Sequence, residues 1–181
     1  DATARRAALR MRMRLMEDPI VLEMQEPLLE ALRSVTQNGA VPGVVRSSAL
    51  VEDRYGTSFA GQFESYLGLN SEADFLTAVR ACWAALWAPR ALRYMAGHGV
   101  DPADTAMALL IQPLVAARAA GGGLSRTAED GMLINATAGL GAAIAQGEVA
   151  PDRYTLGRDG TVHESQTGIT YHHQADCVHR P

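Results

Sequence analysis

The stretch from Val44 to Leu67 constrains the fold more than any other, because helical spacing gives way there to strand and loop chemistry. A short β-branched run, Val44-Val45, delivers an arginine, Arg46, to a strand end. Two serines follow, then the acidic pair Glu52-Asp53, then a small-residue loop, Thr57-Ser58-Phe59-Ala60-Gly61, and finally Ser65-Tyr66-Leu67. β-Branched residues suit a pleated, half-buried surface. The pattern predicts a strand over Val44–Ser47, a loop over 49–57 and a second strand over Glu64–Leu69 with period-two alternation. Arg46 is a planar cation whose donors can fork onto phosphate oxygens. A loop of small residues lets backbone N–H groups approach an anion. On the residues alone two accounts stand side by side, a polyphosphate site and an ordinary turn. Glu52 and Asp53 are equally open, either orienting Arg46 or a metal-linked water, or acting as turn carboxylates.

Helices flank this block. Residues 1–16 are Ala- and Arg-rich, with Leu9, Met13 and Met16 at helical spacing. Arg5, Arg6, Arg10, Arg12 and Arg14 read as a solvated face, because the chain as a whole carries a net charge of −4. That balance gives no reason to expect nucleic-acid or anionic-membrane binding. Asp18-Pro19 breaks the first helix, and Leu22, Leu28, Leu29 and Leu32 stripe a second one over 20–34. Asn38-Gly39 and Pro42-Gly43 then lead into the central block.

Residues 71–96 give the clearest helical signal. Ser71 has N-cap chemistry with Asp74 at capping-box spacing, and Phe75, Val79, Cys82, Trp83 and Leu86 recur at three and four. Pro89 is placed to begin a second helical piece. Trp83 and Trp87 are expected in the core rather than as a ligand platform. Thr105–Val115 reads as a buried strand in which Gln112 needs partners for its amide. Gly121-Gly122-Gly123 lacks a following Lys-Ser/Thr, so it is no Walker A loop and is expected to be a flexible turn. Met132–Ala136 reads as a strand, Ala142–Ala145 as a short helix ended by Gly147, and Tyr154–Leu156 with Thr161–Glu164 as a hairpin around Arg158-Asp159-Gly160.

Cys82 and Cys177 make no disulfide framework, so a reducing cytoplasm is the expected compartment. No apolar run approaches the roughly 18 residues that span a membrane. The tail holds His163, His172, His173, Cys177 and His179. These are zinc-type ligands, but H-H-x3-C-x-H has no strong metal-site spacing, and no metal site is expected there.

Order and spacing carry a resemblance. Arg46-Ser47-Ser48-Ala49, Glu52-Asp53, Ser58-Phe59-Ala60-Gly61-Gln62 and Tyr66-Leu67 together resemble the nucleotide-binding signature of the phosphoenolpyruvate synthase and pyruvate phosphate dikinase family. Rifampin phosphotransferase and phenylphosphate synthase are similar. Two further strings match it: Cys82-Trp83-Ala84-Ala85-Leu86-Trp87-Ala88-Pro89-Arg90-Ala91, and Asn135-Ala136-Thr137-Ala138-Gly139-Leu140-Gly141 with Gly147-Glu148-Val149 and Pro151-Asp152. The resemblance covers roughly residues 40–165. Residues 1–39 would be a helical lead-in, 40–165 the ATP-binding region, and 166–181 a tail cut mid-domain.

The resemblance implies an α+β, ATP-grasp-like fold, an antiparallel sheet with flanking helices, present as one lobe and part of a second. It implies ATP and Mg²⁺ as cofactors, and a cytoplasmic dikinase-type phosphotransferase. Such an enzyme passes a phosphoryl group through a phosphohistidine on a swivelling domain, in cis or in trans, to a small-molecule acceptor. By position, Arg46 would bind the triphosphate as the catalytic cation, Gly61 and Ser65 would line the phosphate loop, and Gln112 would face the adenine.

The sequence also departs from the family. Leu124-Ser125-Arg126-Thr127-Ala128 stands where relatives carry a Phe-Thr-x-Asp-Pro-like turn. All 16 basic residues are arginine, so the family's triphosphate lysine is absent from this segment, as are its Glu and Gln/Asp metal ligands and its Gly-Gly-x-x-Ser-His motif. The expectation is therefore the central part of a larger phosphotransferase, with a non-catalytic nucleotide- or partner-binding module as the alternative.

Overall fold

The computed structural model describes residues 2–50, 63, 65–145, 147 and 149–168. The chain divides into two compact units, residues 1–114 and 115–181.

The first unit contains α1 (Ala2–Glu17), α2 (Leu22–Val35), β1 (Gly43–Ala49), β2 (Ser65–Leu69), α3 (Glu72–Ala85), α4 (Pro89–Gly97), a single 3-10 turn (Pro102–Asp104) and β3 (Met107–Pro113). Its three strands form an antiparallel sheet in the order β2-β1-β3. Both helix breaks fall where sequence chemistry puts them. Ser71 caps α3, its hydroxyl accepting from the Asp74 amide at 3.1 Å and donating to the Asp74 carboxylate at 2.7 Å. Pro89 opens α4, where its missing N–H costs nothing. At the end of α2, the buried Thr36 donates to the Leu32 carbonyl at 2.8 Å and accepts from the Gly39 amide. Gln37, Asn38 and Gly39 then all take positive φ, which reverses the chain toward β1.

One face of this sheet builds the core. Val45 packs with Leu29, Leu32, Phe75, Ala78, Val79 and Cys82, and Leu109, Ile111 and Tyr66 join from the neighbouring strands. Ala49 packs with Leu86, Ala91, Met95 and Val100, and Met107 joins them. Trp83 and Trp87 pack against these two clusters, and Cys82 is a buried thiol, all as the helical spacing predicts. β3 departs from expectation. It is not buried throughout: Met107, Leu109 and Ile111 face the core, while Leu110 on the other side is 48% exposed. An antiparallel sheet covered by helices on one side imposes that alternation.

The second unit is a four-stranded antiparallel meander, β4 (Ala119–Leu124), β5 (Met132–Ala138), β6 (Asp152–Leu156) and β7 (Val162–Gln166), with the short helix α5 (Ala142–Ala145) between β5 and β6. Gly121-Gly122-Gly123 is strand, not the flexible turn the sequence suggests. The backbones run so close that a side chain on Gly121 would strike the Asn135 carbonyl, and one on Gly123 the Leu133 carbonyl. The glycines serve close strand approach rather than turning.

The β6–β7 hairpin turns at Gly157–Thr161 as expected. Gly160 takes φ +86, and Asp159 accepts from the Thr161 amide at 3.0 Å and from its hydroxyl at 2.8 Å. The backbone and side-chain hydrogen bonds from Thr161 hold the Asp159 carboxyl below its ordinary value of 3.8. A lowered folded-state pKa means this contribution to the turn is complete above the ordinary carboxylate value. It is lost as pH falls through the lowered one. A carbon-13 titration of the Asp159 carboxyl should therefore give a midpoint below that of an unstructured aspartate, and Thr161→Ala, which removes the hydroxyl bond but keeps the amide bond, should raise it only part of the way back. An unchanged midpoint in the variant would show that the Thr161 hydroxyl contributes nothing to the shift beyond the amide. Among the described residues no helix is long and apolar enough to cross a membrane.

Candidate functional site

The helices cover one face of the β2-β1-β3 sheet, and the site candidates lie on the other. Strand register decides this. Val45 and Ala49 point into the core, so Val44, Arg46 and Ser48 point away. Across β1, Arg46 stands opposite Ser65 of β2 and Leu110 of β3. Val44 stands opposite Leu67 and Gln112. The face opposite the helices thus carries two adjacent rows, Ser65–Arg46–Leu110 and Leu67–Val44–Gln112, about 7 Å apart along the strands, with Val44 itself buried at 5% exposure and Arg46 exposed.

A bulge makes this possible. Simple alternation would place Ser65, Leu67 and Leu69 on one face. Gly68, at φ +72, inserts an extra residue where the register shifts between Gly43 and Val44. Leu69 therefore turns into the core, while Leu67 stays outside at 45% exposure.

Three of the four residues predicted from sequence therefore share one surface. Arg46 and Ser65 are cross-strand neighbours, both exposed, with Cβ atoms about 5 Å apart for such pairs. Gln112 is half-buried and diagonal to Arg46. The fourth, Gly61, lies outside the described residues with the rest of its loop, Glu52 and Asp53 included. Two residues were missed at the sequence level. Leu67 and Leu110 expose apolar surface in the same two rows. The alternation Ala108, Leu110, Gln112 against Met107, Leu109, Ile111 was the signal that could have found Leu110.

This arrangement can do specific chemistry. A guanidinium beside a hydroxyl suits phosphate oxygens. A pair of leucines beside a carboxamide suits a flat heterocycle with a hydrogen-bonding edge. Among the described residues no group of three or more His, Cys, Asp or Glu gathers to hold a metal. His163 is exposed on β7, and His172, His173, Cys177 and His179 lie outside the described residues.

Comparison with known proteins identifies the family. The family profile described as "Pyruvate phosphate dikinase, AMP/ATP-binding domain" matches residues 2–177. A phosphoenolpyruvate synthase from Aeropyrum pernix is 33% identical over 157 residues, covering 81% of this chain and 19% of the relative. A phosphoenolpyruvate synthase from Pyrococcus furiosus is 35% identical over 143 residues, 74% of this chain and 17% of the relative. An uncharacterized phosphotransferase from Bacillus subtilis is 34% identical over 145 residues, 78% of this chain and 16% of the relative. The chain thus spans less than a fifth of each of these relatives. With nearly its whole length matched, the chain belongs to the pyruvate phosphate dikinase AMP/ATP-binding domain family.

Proposed function

We propose that the face of the β2-β1-β3 sheet opposite the helices is the nucleotide surface of an ATP-grasp-type module in a cytoplasmic, dikinase-type phosphotransferase. The observation that carries this reading is the placing of Arg46, Ser65 and Gln112 on the face of the sheet opposite the helices. Arg46 forks onto the triphosphate and offsets its charge, the main task in phosphoryl transfer. Ser65 and Gly61 line the phosphate loop. Leu67 and Leu110 support the adenine, and the Gln112 amide reads its edge.

The full enzyme passes the phosphoryl group through a phosphohistidine domain to a small-molecule acceptor. The phosphohistidine domain acts in cis or in trans. Mg²⁺ would neutralise phosphate charge in that reaction. The described residues do not fit a metal cage, so their own contribution is the Arg46 cation and the sheet surface. The absence of any lysine favours a second reading, a non-catalytic nucleotide-binding module on the same face.

Gln112→Ala distinguishes base recognition from mere phosphate attraction. The variant should lose about two- to tenfold in ATP affinity, the worth of one hydrogen bond. Its affinity for inorganic triphosphate should stay unchanged. Calorimetric titration of both ligands checks this. Equal loss for both would move Gln112 away from the base.

A further inference from the structure

On the helical side of the first unit, away from the sheet face described above, α1 and α3 leave a groove of about 500 Å³. Helical spacing builds its walls. Ala7, Arg10, Met11, Arg14 and Leu15 recur at three and four along α1, and Arg80 and Trp83 lie three apart on α3. Pro19 and Ile20 from the α1–α2 connection close one end. The lining is mainly apolar, yet three guanidiniums converge on it, opposed by one carboxylate, Asp18.

Arg14 holds that carboxylate at 3.1 Å, which leaves the groove with an excess of positive charge. Arg80 sharpens the case. Its Nη2 donates to the Thr77 hydroxyl at 3.1 Å, which holds the guanidinium on the α3 wall of the groove. A groove of ligand size with an apolar body and a few convergent polar groups is the usual form of a small-molecule site.

We propose that this groove binds a small organic acid with an apolar body, its carboxylate received by Arg80 and Arg10 and its body laid against Trp83, Met11 and Ile20. The site is independent of the nucleotide reading, since it lies on the opposite side of the sheet's helical layer and shares no residue with it. An anion of this kind balances the groove's excess positive charge at Arg80 and Arg10, and the indole and methionine supply apolar contact.

The test uses 4-phenylbutyrate and its neutral counterpart 4-phenylbutanol, titrated into the chain by calorimetry and followed through Trp83 emission in a Trp87→Phe background. The expected result is saturable one-to-one binding of the acid, with a change in Trp83 emission and at least tenfold weaker binding of the alcohol. Arg80→Gln should weaken the acid at least fivefold, and so should Arg10→Gln, which sits at the exposed rim and leaves the fold untouched. Equal binding of acid and alcohol would reduce the groove to an apolar cleft and overturn the proposal. So would acid binding that neither arginine variant alters, or the absence of binding to the unsubstituted chain.

Discussion

Arg46→Ala is expected to lower ATP affinity by roughly ten- to a hundredfold, since hydrogen bonds to charged groups contribute about 1.5–3 kcal/mol and each 1.4 kcal/mol is a factor of ten. Its thermal stability should not move, because the Arg46 side chain is exposed and takes no part in the core. The pairing of those two outcomes is the informative part. Val45, its neighbour in sequence, points the other way and is fully buried. A charge placed at position 45 would unfold the unit, whereas removal of the charge at 46 should leave it folded and empty-handed toward phosphate. Titration with ATP and a melting curve on the same sample read both. A change in affinity of less than twofold would show that the triphosphate contact lies elsewhere. Arg46→Lys should recover only part of the loss, since an ammonium lacks the planar fork.

The largest effect on stability is expected at Phe75. It is 0% exposed and packs within the cluster of Leu29, Leu32, Val45, Val79 and Cys82. Truncating a buried Phe to Ala costs about 3–5 kcal/mol, from lost transfer energy and the cavity left behind. Domains of this size are stable by about 5–15 kcal/mol, so much of the margin disappears. Phe75 also sits where α3 meets β1, so the cavity opens behind the strand that carries Arg46. Urea unfolding monitored by tryptophan emission should show the midpoint fall with little change in slope. A cost below about 1 kcal/mol would mean that the α3–β1 contact is not central to the unit. The two predictions separate cleanly: Phe75→Ala should weaken ATP binding only through the folded fraction, Arg46→Ala only through the contact.

Much of this was legible in the sequence because the local signals agreed with the tertiary outcome. Ser71 and Asp74 announced the start of α3, Pro89 the start of α4, and Gly147 and Gly160 the turns they make. Phe75, Val79 and Cys82 gave the core face by spacing alone. The strand segments were harder. Leu109, Leu110 and Ile111 read as a continuous apolar run, and a run cannot say that one of its faces lies opposite the helices. Only the pairing with β1 reveals that Leu110 shares a surface with Arg46. Gly121-Gly122-Gly123 misled for a related reason: glycine marks both turns and close strand approach, and the Asn135 and Leu133 carbonyls that decide between them lie some ten or more residues away. The Gly68 bulge was likewise invisible, since Ser65-Tyr66-Leu67-Gly68-Leu69 fits plain alternation until its register with Gly43 and Val44 is known. Composition and spacing placed the candidate residues on elements. Register placed Arg46, Ser65 and Gln112 on one face.

The most direct test of that face is photo-crosslinking with 8-azido-ATP, followed by peptide mapping with and without excess ATP. The account predicts ATP-protected labelling on β2 and β3, in peptides containing Leu67 or Leu110 and Gln112, and its loss in the Arg46→Ala chain. ATP-protected labelling confined to the α1 and α4 helices or to residues 115–168 would contradict it, and would place the nucleotide somewhere other than the side of the β2-β1-β3 sheet opposite the helices.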